Sequence, residues 1–303
     1  MPAMGKTTAT PGGREVTISR PDKLLWPDVP VTKQDYADYL HAVGEDMLPW
    51  LHDRPVTMVR APDGVGGGKR YYQKAAPTYA PSWIRTTRIP APSAGRDVDY
   101  VVCQDLPTLL WLGNQAVVEF HPAPVRRDRL DRPDLLVVDI DPPEDDAFAM
   151  AVEVALLVLE VLDDLDMPYG VKTTGGKGLH VVVPIDRRVD QQELRAAVTR
   201  LTDIVIERRP DLVTDAFRKV KRGGRVMLDP SRNGTGATIV ALYSPRARPD
   251  ATVSFPVAPE QLSSVSPADF TLRTVPSLLR GPGPKRWRTL ANERGRLPSA
   301  LLH

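Results

Sequence analysis

An apolar run that ends in two aspartates, residues 135–141, is the feature that most constrains how this chain folds. Such a run followed by turn residues predicts a buried β-strand. Residues two apart in a strand face the same side, so Asp139 and Asp141 are expected to converge at its exposed end. Two like charges held together are costly unless a cation lies between them, and carboxylate oxygens favour Mg²⁺ or Mn²⁺. Alternatively, the aspartates merely end the strand, because aspartate and the following Pro142-Pro143 are common in turns.

A third aspartate, Asp229, closes a second short apolar run that begins at Arg225. Three carboxylates around a pair of metal ions are the usual machinery of phosphoryl and nucleotidyl transfer. The sequence therefore predicts that Asp139, Asp141 and Asp229 are both the catalytic residues and the metal ligands, with two Mn²⁺ or Mg²⁺ ions per site.

A glycine turn between two apolar runs is a candidate triphosphate-binding element. Gly175 and Gly176 let the backbone approach a ligand closely, Thr174 adds a hydroxyl donor, and Lys177 adds a positive charge. The spacing of a Walker loop is absent, and no helix follows directly. The alternative is an ordinary hairpin turn with a solvated lysine, next to a histidine, His180, that belongs to the core.

Two further stretches carry cations that can bind phosphate groups. Arg232, Arg246 and Arg248 can pair bidentately with phosphate oxygens, although each alone is more often simply solvated. Residues 218–225 contain five cations and no acid. Because this run leads directly into Asp229, we interpret it as a loop over DNA or nucleotide; the alternative is a solvated surface loop.

Taken together, these residues resemble the polymerase domain of bacterial DNA ligase D, a member of the archaeo-eukaryotic primase superfamily. The resemblance covers about residues 15 to 280. The matching segments are residues 17–27, 32–33, 54–57, 71–74, 118–122, 139–141, 175–180 and 243–248. So many matches in the same order are far more specific than any single motif.

The resemblance implies a role for each matching position. The implied nucleotide-binding residues are Thr174, Lys177, His180, His121, Arg232, Arg246 and Tyr72. The implied DNA-binding residues are Lys23, Lys33, Tyr71, Lys74 and Arg222. Tyr71 and Tyr72 stand where the family often has two phenylalanines that stack on a base. Lys23 and Lys33 match lysines that bind the 5′-phosphate of a downstream DNA strand.

The function that the resemblance implies is that of a template-dependent nucleotidyltransferase, a primase-polymerase that extends or fills gaps at DNA ends in non-homologous end joining. It also implies manganese and ribonucleotide preference. The implied partners are gapped or broken DNA with a 5′-phosphate, nucleoside triphosphates, Ku and a DNA ligase. The alternatives are a two-metal nuclease or phosphohydrolase, which does not need a triphosphate clamp, and a non-catalytic DNA-end-binding module, which does not need an intact set of aspartates.

The pattern of elements predicts an α/β protein with mixed, largely antiparallel sheets, and the resemblance implies a primase-like core with two modules around a central cleft. We expect a disordered tail over residues 1–14, one compact unit over 15–280 and a C-terminal tail over 281–303. The predicted helices cover about 32–51, 107–112, 145–165 and 191–208. The predicted strands include 16–18, 55–60, 98–103, 116–120 and others near residues 169, 179, 225 and 237, with a charged loop over 125–134.

The composition excludes several other classes of protein. The net charge of +2 is nearly balanced, so any nucleic-acid surface must be a local patch. Cys103 is the only cysteine, which excludes an internal disulfide and a cysteine-based zinc site. With no signal-peptide pattern and no membrane-length apolar run, we expect a cytoplasmic, nucleoid-associated protein. We also expect a stand-alone member or an excised domain, because the chain contains no nuclease or ligase segment.

Overall fold

The computed structural model describes residues 6–91 and 95–302. Over these residues the chain is a mixed α/β protein, and all of its paired strands except one neighbouring pair run antiparallel. The predicted fold class is therefore confirmed. In the same residues, no helix combines the length and the apolar character that crossing a membrane requires.

The N-terminal module is built around one five-stranded sheet and two helices. Its elements are β1 (Lys6–Ala9), β2 (Val16–Ser19), β3 (Leu24–Trp26), β4 (Val31–Thr32), α1 (Lys33–Leu51), β5 (Pro55–Arg60), β6 (Tyr71–Gln73), β7 (Thr86–Ala91), β8 (Arg96–Val102), α2 (Leu106–Asn114) and β9 (Val117–Pro122). Strand β5 pairs with β9, and also with β6 and β8 at different parts of its length. Strand β9 thereby reaches the cleft with its alternate side chains exposed to it.

The C-terminal module is built around one six-stranded sheet. Its elements are β10 (Val125–Arg126), β11 (Arg129–Pro133), β12 (Leu135–Asp141), α3 (Phe148–Asp164), β13 (Gly170–Thr173), β14 (Leu179–Pro184), α4 (Gln191–Arg208), β15 (Val213–Thr214), α5 (Lys219–Arg222), β16 (Val226–Leu228), β17 (Pro256–Val257), α6 (Val275–Leu278), α7 (Pro282–Leu290) and α8 (Ser299–Leu302). The strand order is β15-β16-β12-β14-β13-β17. Because β12 lies inside the sheet and α3 and α4 pack against it, its first four residues are buried and apolar on both faces.

The chain between β16 and β17 joins the two modules. The backbone N–H groups of Ile239 and Ala241 donate to the carbonyls of Pro122 and Phe120 in β9. Further along, the Trp26 indole donates to the carbonyl of Arg246 at 3.2 Å. The buried apolar residues of both modules form one continuous cluster. The cleft between the modules is therefore part of a single packed unit.

Several predicted boundaries are wrong. Residues 6–9, expected in a disordered tail, form β1 and pair with β2, while residues 1–5 lie outside the described residues. The expected C-terminal tail contains α7 and α8, which bury Trp287, Leu290 and Leu301 in the core; residue 303 is not described. The expected charged loop over 125–134 contains the β10–β11 hairpin.

The strand expected near Ala237 is not formed, and a side chain explains its absence. Asn233 donates to the carbonyl of Val137 and accepts from its N–H, both at 2.8 Å. An amide side chain thus occupies the edge of β12 that another strand would need. The chain that follows instead bonds to β9 of the other module.

Candidate active site

Strand pairing brings the three aspartates to one end of the C-terminal sheet. In β12, Asp139 lies opposite His180 of β14, and Asp141 lies opposite Met227 of β16. Asp229 follows β16 directly, and its N–H donates to the carbonyl of Asp139 at 3.1 Å. All three aspartates line a cleft of about 470 Å³.

The same cleft gathers ten of the residues to which the sequence gave roles. Those residues are His121, Asp139, Asp141, Thr174, Lys177, His180, Arg222, Asp229, Arg232 and Arg246. They come from both modules, from the glycine turn, from the basic segment and from the chain after Asp229. These residues come together because of the register of the strands and because the chain between β16 and β17 crosses from one module to the other. Neither feature is evident in a single motif.

Each aspartate carboxylate lies next to a protein cation. Arg222 Nη1 lies 2.8 Å from Asp141 Oδ2, and Lys177 Nζ lies 3.3 Å from Asp141 Oδ1. Arg232 Nε lies 3.0 Å from Asp139 Oδ2 and 3.6 Å from Asp229 Oδ2. One wall of the cleft thus consists of carboxylates that are each paired with a basic side chain.

The electrostatics of Asp139 favour its ionised form. Burial by itself raises the pKa of this carboxyl, but the neighbouring His180 and Arg232 overcome that effect and lower the pKa to about 2. At neutral pH, Asp139 is therefore an anion that needs a positively charged or hydrogen-bonding partner.

The donor set of the cleft suits a hard divalent cation. Three carboxylates offer six oxygens, the ligand type that Mg²⁺ and Mn²⁺ prefer. As they stand, no three acidic, histidine or cysteine side chains in the described residues are close enough together to hold a metal ion. The carboxylates of Asp139, Asp141 and Asp229 lie instead against Arg232, Arg222 and Lys177.

The glycine turn lines the cleft and contacts the end of β12. Gly175 has a φ of +66°, a conformation that favours glycine. The Thr174 hydroxyl donates to the carbonyl of Gly178 at 3.1 Å, and Lys177 Nζ donates to the carbonyl of Pro142 at 2.6 Å. Thr174 thus braces the turn, while Lys177 joins it to the end of the strand that carries the aspartates.

Strand β9 provides a further group of charged residues on the other side of the cleft. Glu119 and His121 are two residues apart and share a face of the strand, with Nε2 of the histidine 2.8 Å from Oε2 of the glutamate. The other glutamate oxygen, Oε1, lies 3.3 Å from Arg246 Nε and accepts from the N–H of Ala247 at 2.7 Å. Burial raises the pKa of Glu119, yet His121, Arg246 and Ala247 together lower it to about 2.

Two buried basic side chains lie at or behind the cleft: His180 lines it, and Lys172 lies beside His180. His180 is paired across β13–β14 with Lys172, whose Nζ donates to Ser254 Oγ at 2.8 Å. Burial and the nearby lysine lower the pKa of His180 to about 4, and burial also lowers the pKa of Lys172. Neutral His180, with Nε2 3.3 Å from Asp139 Oδ1, is therefore suited to orient that carboxylate.

The tyrosines and Lys74 lie at or outside the rim. Tyr72 is 61% exposed, and its ring centre is 6.5 Å from that of His121, so it can reach a ligand in the cleft. Tyr71 precedes it in β6 and faces the opposite side of the sheet, so the two rings cannot stack on the same base from one face. Lys74 is exposed beyond the end of β6.

Lys23 and Lys33 form a separate basic site with Arg20. The N–H of Lys33 donates to the carbonyl of Lys23, and Lys33 Nζ donates to the carbonyl and hydroxyl of Ser19 at 2.9 and 3.1 Å. In the described part of the chain, none of the three cations has a carboxylate within salt-bridge distance. Burial, followed by repulsion from Arg20 and Lys23, lowers the pKa of Lys33 to about 8.

Arg222 occupies a different place from the one expected. A DNA-facing arginine was expected, but the side chain is buried in the cleft, where it pairs with Asp141 and donates to the carbonyls of Ala216 and Phe217. The neighbouring Arg218, Lys219 and Lys221 are exposed instead. They occupy the outer side of the basic segment that the sequence predicted.

Sequence reasoning assigned no role to Glu119 or Lys172. For Glu119 a signal was present, because Glu-x-His in an apolar strand places both side chains on one face. For Lys172 the signal was a lysine inside a short apolar strand, where a charge needs a specific partner. Neither signal alone identifies the partners. Ala247 is about 130 positions from Glu119, and Ser254 is about 80 positions from Lys172.

The family described as the LigD primase-polymerase domain matches residues 32–284. The bifunctional non-homologous end joining protein LigD of Bacillus subtilis is 31% identical, over 93% of this chain and 45% of the relative. The multifunctional non-homologous end joining protein LigD of Pseudomonas aeruginosa is also 31% identical, over 94% of this chain and 34% of the relative. This chain therefore spans less than half the length of these relatives.

A solved structure with the same fold is the polymerase domain of Mycobacterium tuberculosis ligase D in complex with DNA. The two structures have a TM-score of 0.82 and 29% sequence identity, and the match covers 91% of this chain and 98% of that one. The likeness therefore includes both modules and the cleft between them.

Proposed function

Because this chain belongs to the LigD primase-polymerase domain family, we propose that it is a template-dependent nucleotidyltransferase that extends primers or fills gaps at broken DNA ends. The observation that carries this proposal is the meeting of Asp139, Asp141 and Asp229 with the glycine turn in one cleft. A wall of carboxylates opposite a phosphate-binding turn suits transfer of a nucleotide from a triphosphate.

Asp139, Asp141 and Asp229 would hold two divalent ions, Mn²⁺ or Mg²⁺. When bound, the ions supply activation of the primer 3′-hydroxyl and neutralisation of the leaving pyrophosphate. His180 keeps Asp139 oriented from the buried side. Lys177 and Arg232, which now pair with the aspartates, are placed to donate to phosphate oxygens instead.

The remaining residues would position the substrates. Arg246, His121 and the glycine turn bind the triphosphate, while the exposed ring of Tyr72 stacks on a base. The exposed cations of the basic segment and Lys74 contact the DNA backbone. Lys23 and Lys33, together with Arg20, hold the 5′-phosphate of the strand downstream of a gap. A preference for ribonucleotides and for manganese, and partnership with Ku and a DNA ligase, complete the proposal.

Primer extension on gapped and blunt-ended DNA tests this function. Labelled nucleotide should enter the primer only with a template and a divalent metal; ribo- and deoxynucleotides, and Mn²⁺ and Mg²⁺, are compared in parallel. Asp139→Asn keeps the size of the side chain and should abolish incorporation. If the labelled strand becomes shorter instead of longer, the cleft belongs to a nuclease. DNA binding without either reaction would identify a non-catalytic end-binding module.

A further inference from the structure

Glu119 has no role in the proposed function, yet its carboxylate contacts two residues that are proposed to bind the triphosphate, His121 and Arg246. It is 7% exposed, and its two oxygens contact His121, Arg246 and the N–H of Ala247. It lies in β9 of the N-terminal module, whereas Arg246 and Ala247 belong to the crossing chain. Two of these contacts are hydrogen bonds, with His121 and with the N–H of Ala247, whereas the contact with Arg246 Nε is a charge pair at 3.3 Å without a hydrogen bond. A buried carboxylate that joins all three groups fixes their relative positions.

Arg246 extends this arrangement to the glycine turn. Its Nη1 donates to the carbonyl of Thr174 at 2.8 Å, while Nε faces Glu119. The N–H groups on Nη2 donate to no other described residue. Likewise, Nε2 of His121 is taken by Glu119, and Nδ1 has no hydrogen bond within the described chain. Each side chain is therefore held by one edge and leaves another edge for a ligand.

Resting on the proposed function, we propose that Glu119 is a positioning residue: its carboxylate holds His121 and Arg246 in the orientation that binds the nucleoside triphosphate. Glu119 is an anion and would repel phosphates, so its effect on the nucleotide must pass through these two cationic or hydrogen-bonding side chains. Glu119 would therefore increase the affinity for the nucleotide, although both are negatively charged.

The test compares Glu119→Gln with the unmodified protein in the direct binding of Mn²⁺–ATP, measured by calorimetry without DNA. The amide keeps the shape of the side chain but loses the charge that holds His121 and Arg246. Nucleotide Kd and the KM for incorporation should each rise about ten-fold, the scale expected for weakening a charge-assisted contact. Affinity for gapped DNA should be unchanged. Glu119→Asp, which keeps the charge, should recover part of the lost affinity.

A double-mutant cycle separates positioning from a purely structural role. If Glu119 acts through Arg246 and His121, Glu119→Gln should raise nucleotide Kd less in an Arg246→Ala background than in the unmodified protein, because only the part that passes through His121 remains. Glu293→Gln is the control, since it weakens an arginine–glutamate pair outside the cleft, with Arg286 at 2.7 Å. That control should leave nucleotide affinity unchanged.

Three results would overturn the inference. The first is a lower melting temperature in Glu119→Gln with unchanged nucleotide Kd and KM, the signature of a residue that only joins the modules. The second is full additivity with Arg246→Ala, and the third is a failure of the unmodified protein to bind Mn²⁺–ATP. By contrast, an unmodified protein that binds nucleotide tightly but extends no primer would contradict the polymerase function alone.

Discussion

At the scale of single residues, Asp139 is an ionised and largely buried carboxylate whose position is fixed by strand pairing. Its carboxylate is contacted by Arg232 and His180, and its backbone carbonyl accepts from the N–H of Asp229. Asp139→Asn preserves this packing but removes the charge that a divalent ion needs. Incorporation should fall by about a hundred-fold or more, since a bound metal supplies several kcal/mol of transition-state stabilisation.

The measurement pairs single-turnover primer extension with a DNA mobility shift. DNA affinity should change little in Asp139→Asn, because phosphate contacts elsewhere position the DNA. Asp99→Asn is the control, since Asp99 pairs with Arg88 on an exposed hairpin away from the aspartates. Near-normal turnover in Asp139→Asn would exclude Asp139 as a metal ligand.

The meeting of candidate residues can be predicted where the sequence places them next to one another. Asp139 and Asp141 line one cleft, as predicted from the two-residue period that brings side chains to one face of a strand. Glu119 shares that period with His121, but its binding partner Arg246 is 127 positions away, so only the fold identifies the pair. For the same reason Arg222 was expected to face DNA: its run of charges is evident in the sequence, whereas its contact with Asp141 is not.

At the scale of elements, the glycine turn depends on close contact with β12. A Cβ added at Gly178 would lie 2.3 Å from the carbonyl oxygen of Ile140, a backbone atom that cannot move without displacing the strand. At Gly176 the nearest atom would be 3.5 Å away, on the Thr174 side chain. Gly178→Ala should therefore destabilise the protein by about 1–3 kcal/mol, whereas Gly176→Ala should change stability by less than about 0.5 kcal/mol.

Urea denaturation of the two variants checks this difference, because they alter the same turn by the same methyl group. The displaced strand end carries Asp139 and Asp141, so Gly178→Ala should also lower the rate of incorporation. Equal stability of the two variants would mean that the turn does not depend on its approach to Ile140.

Elements were predictable where the ends of a helix are marked by local chemistry. Helix α4 begins after Asp190 and has Glu193 at its third position, and these two residues form a capping box. Helix α1 likewise starts after Thr32, whose hydroxyl accepts from the N–H of Asp35. The strand expected near Ala237 was wrong because its place beside β12 is taken by the Asn233 side chain, a long-range contact that no local pattern encodes.

At the scale of the whole molecule, one buried ion pair joins the sheets of the two modules. Arg54, just before β5, makes a bidentate pair with Asp134, just before β12, at 2.6 and 2.8 Å. Their side chains are 1% and 2% exposed. Asp134→Ala would leave the Arg54 guanidinium buried and unpaired, so we expect a loss of about 3–5 kcal/mol of stability.

The control for this prediction is the exposed pair of Arg88 and Asp99, where the side chains are 68% and 47% exposed. Asp99→Ala should lower the free energy of unfolding by no more than about 1 kcal/mol. Chemical denaturation of both variants compares an exposed arginine–aspartate pair with a buried one, in which Asp134 also pairs with Arg126 at 2.7 Å. If Asp134→Ala lowered the free energy of unfolding no more than Asp99→Ala does, the pair of Arg54 and Asp134 could not be what holds the modules together.

The basic site of Arg20, Lys23 and Lys33 lies outside the cleft that the three aspartates line. A gap in DNA has a 3′-hydroxyl on one side and a 5′-phosphate on the other, so binding both groups would select gaps over blunt ends, which have no downstream strand. Burial and the two neighbouring cations lower the pKa of Lys33 to about 8, well below its ordinary value of 10.5. A lysine with a lowered pKa is charged below that value and loses its charge as the pH rises through it.

We therefore expect the preference for 5′-phosphorylated over 5′-hydroxyl gapped DNA to decrease between pH 7 and pH 9. The decrease should approach about ten-fold, because a group with a pKa of about 8 is only about one-tenth protonated at pH 9. The ratio of the two DNA affinities isolates the 5′-phosphate site, since contacts with the rest of the DNA are common to both. Lys23→Ala combined with Lys33→Ala should remove the preference at pH 7, whereas Lys74→Ala should retain it. A ratio that is independent of pH, or equal affinity for the two DNAs at pH 7, would place the 5′-phosphate elsewhere on the protein.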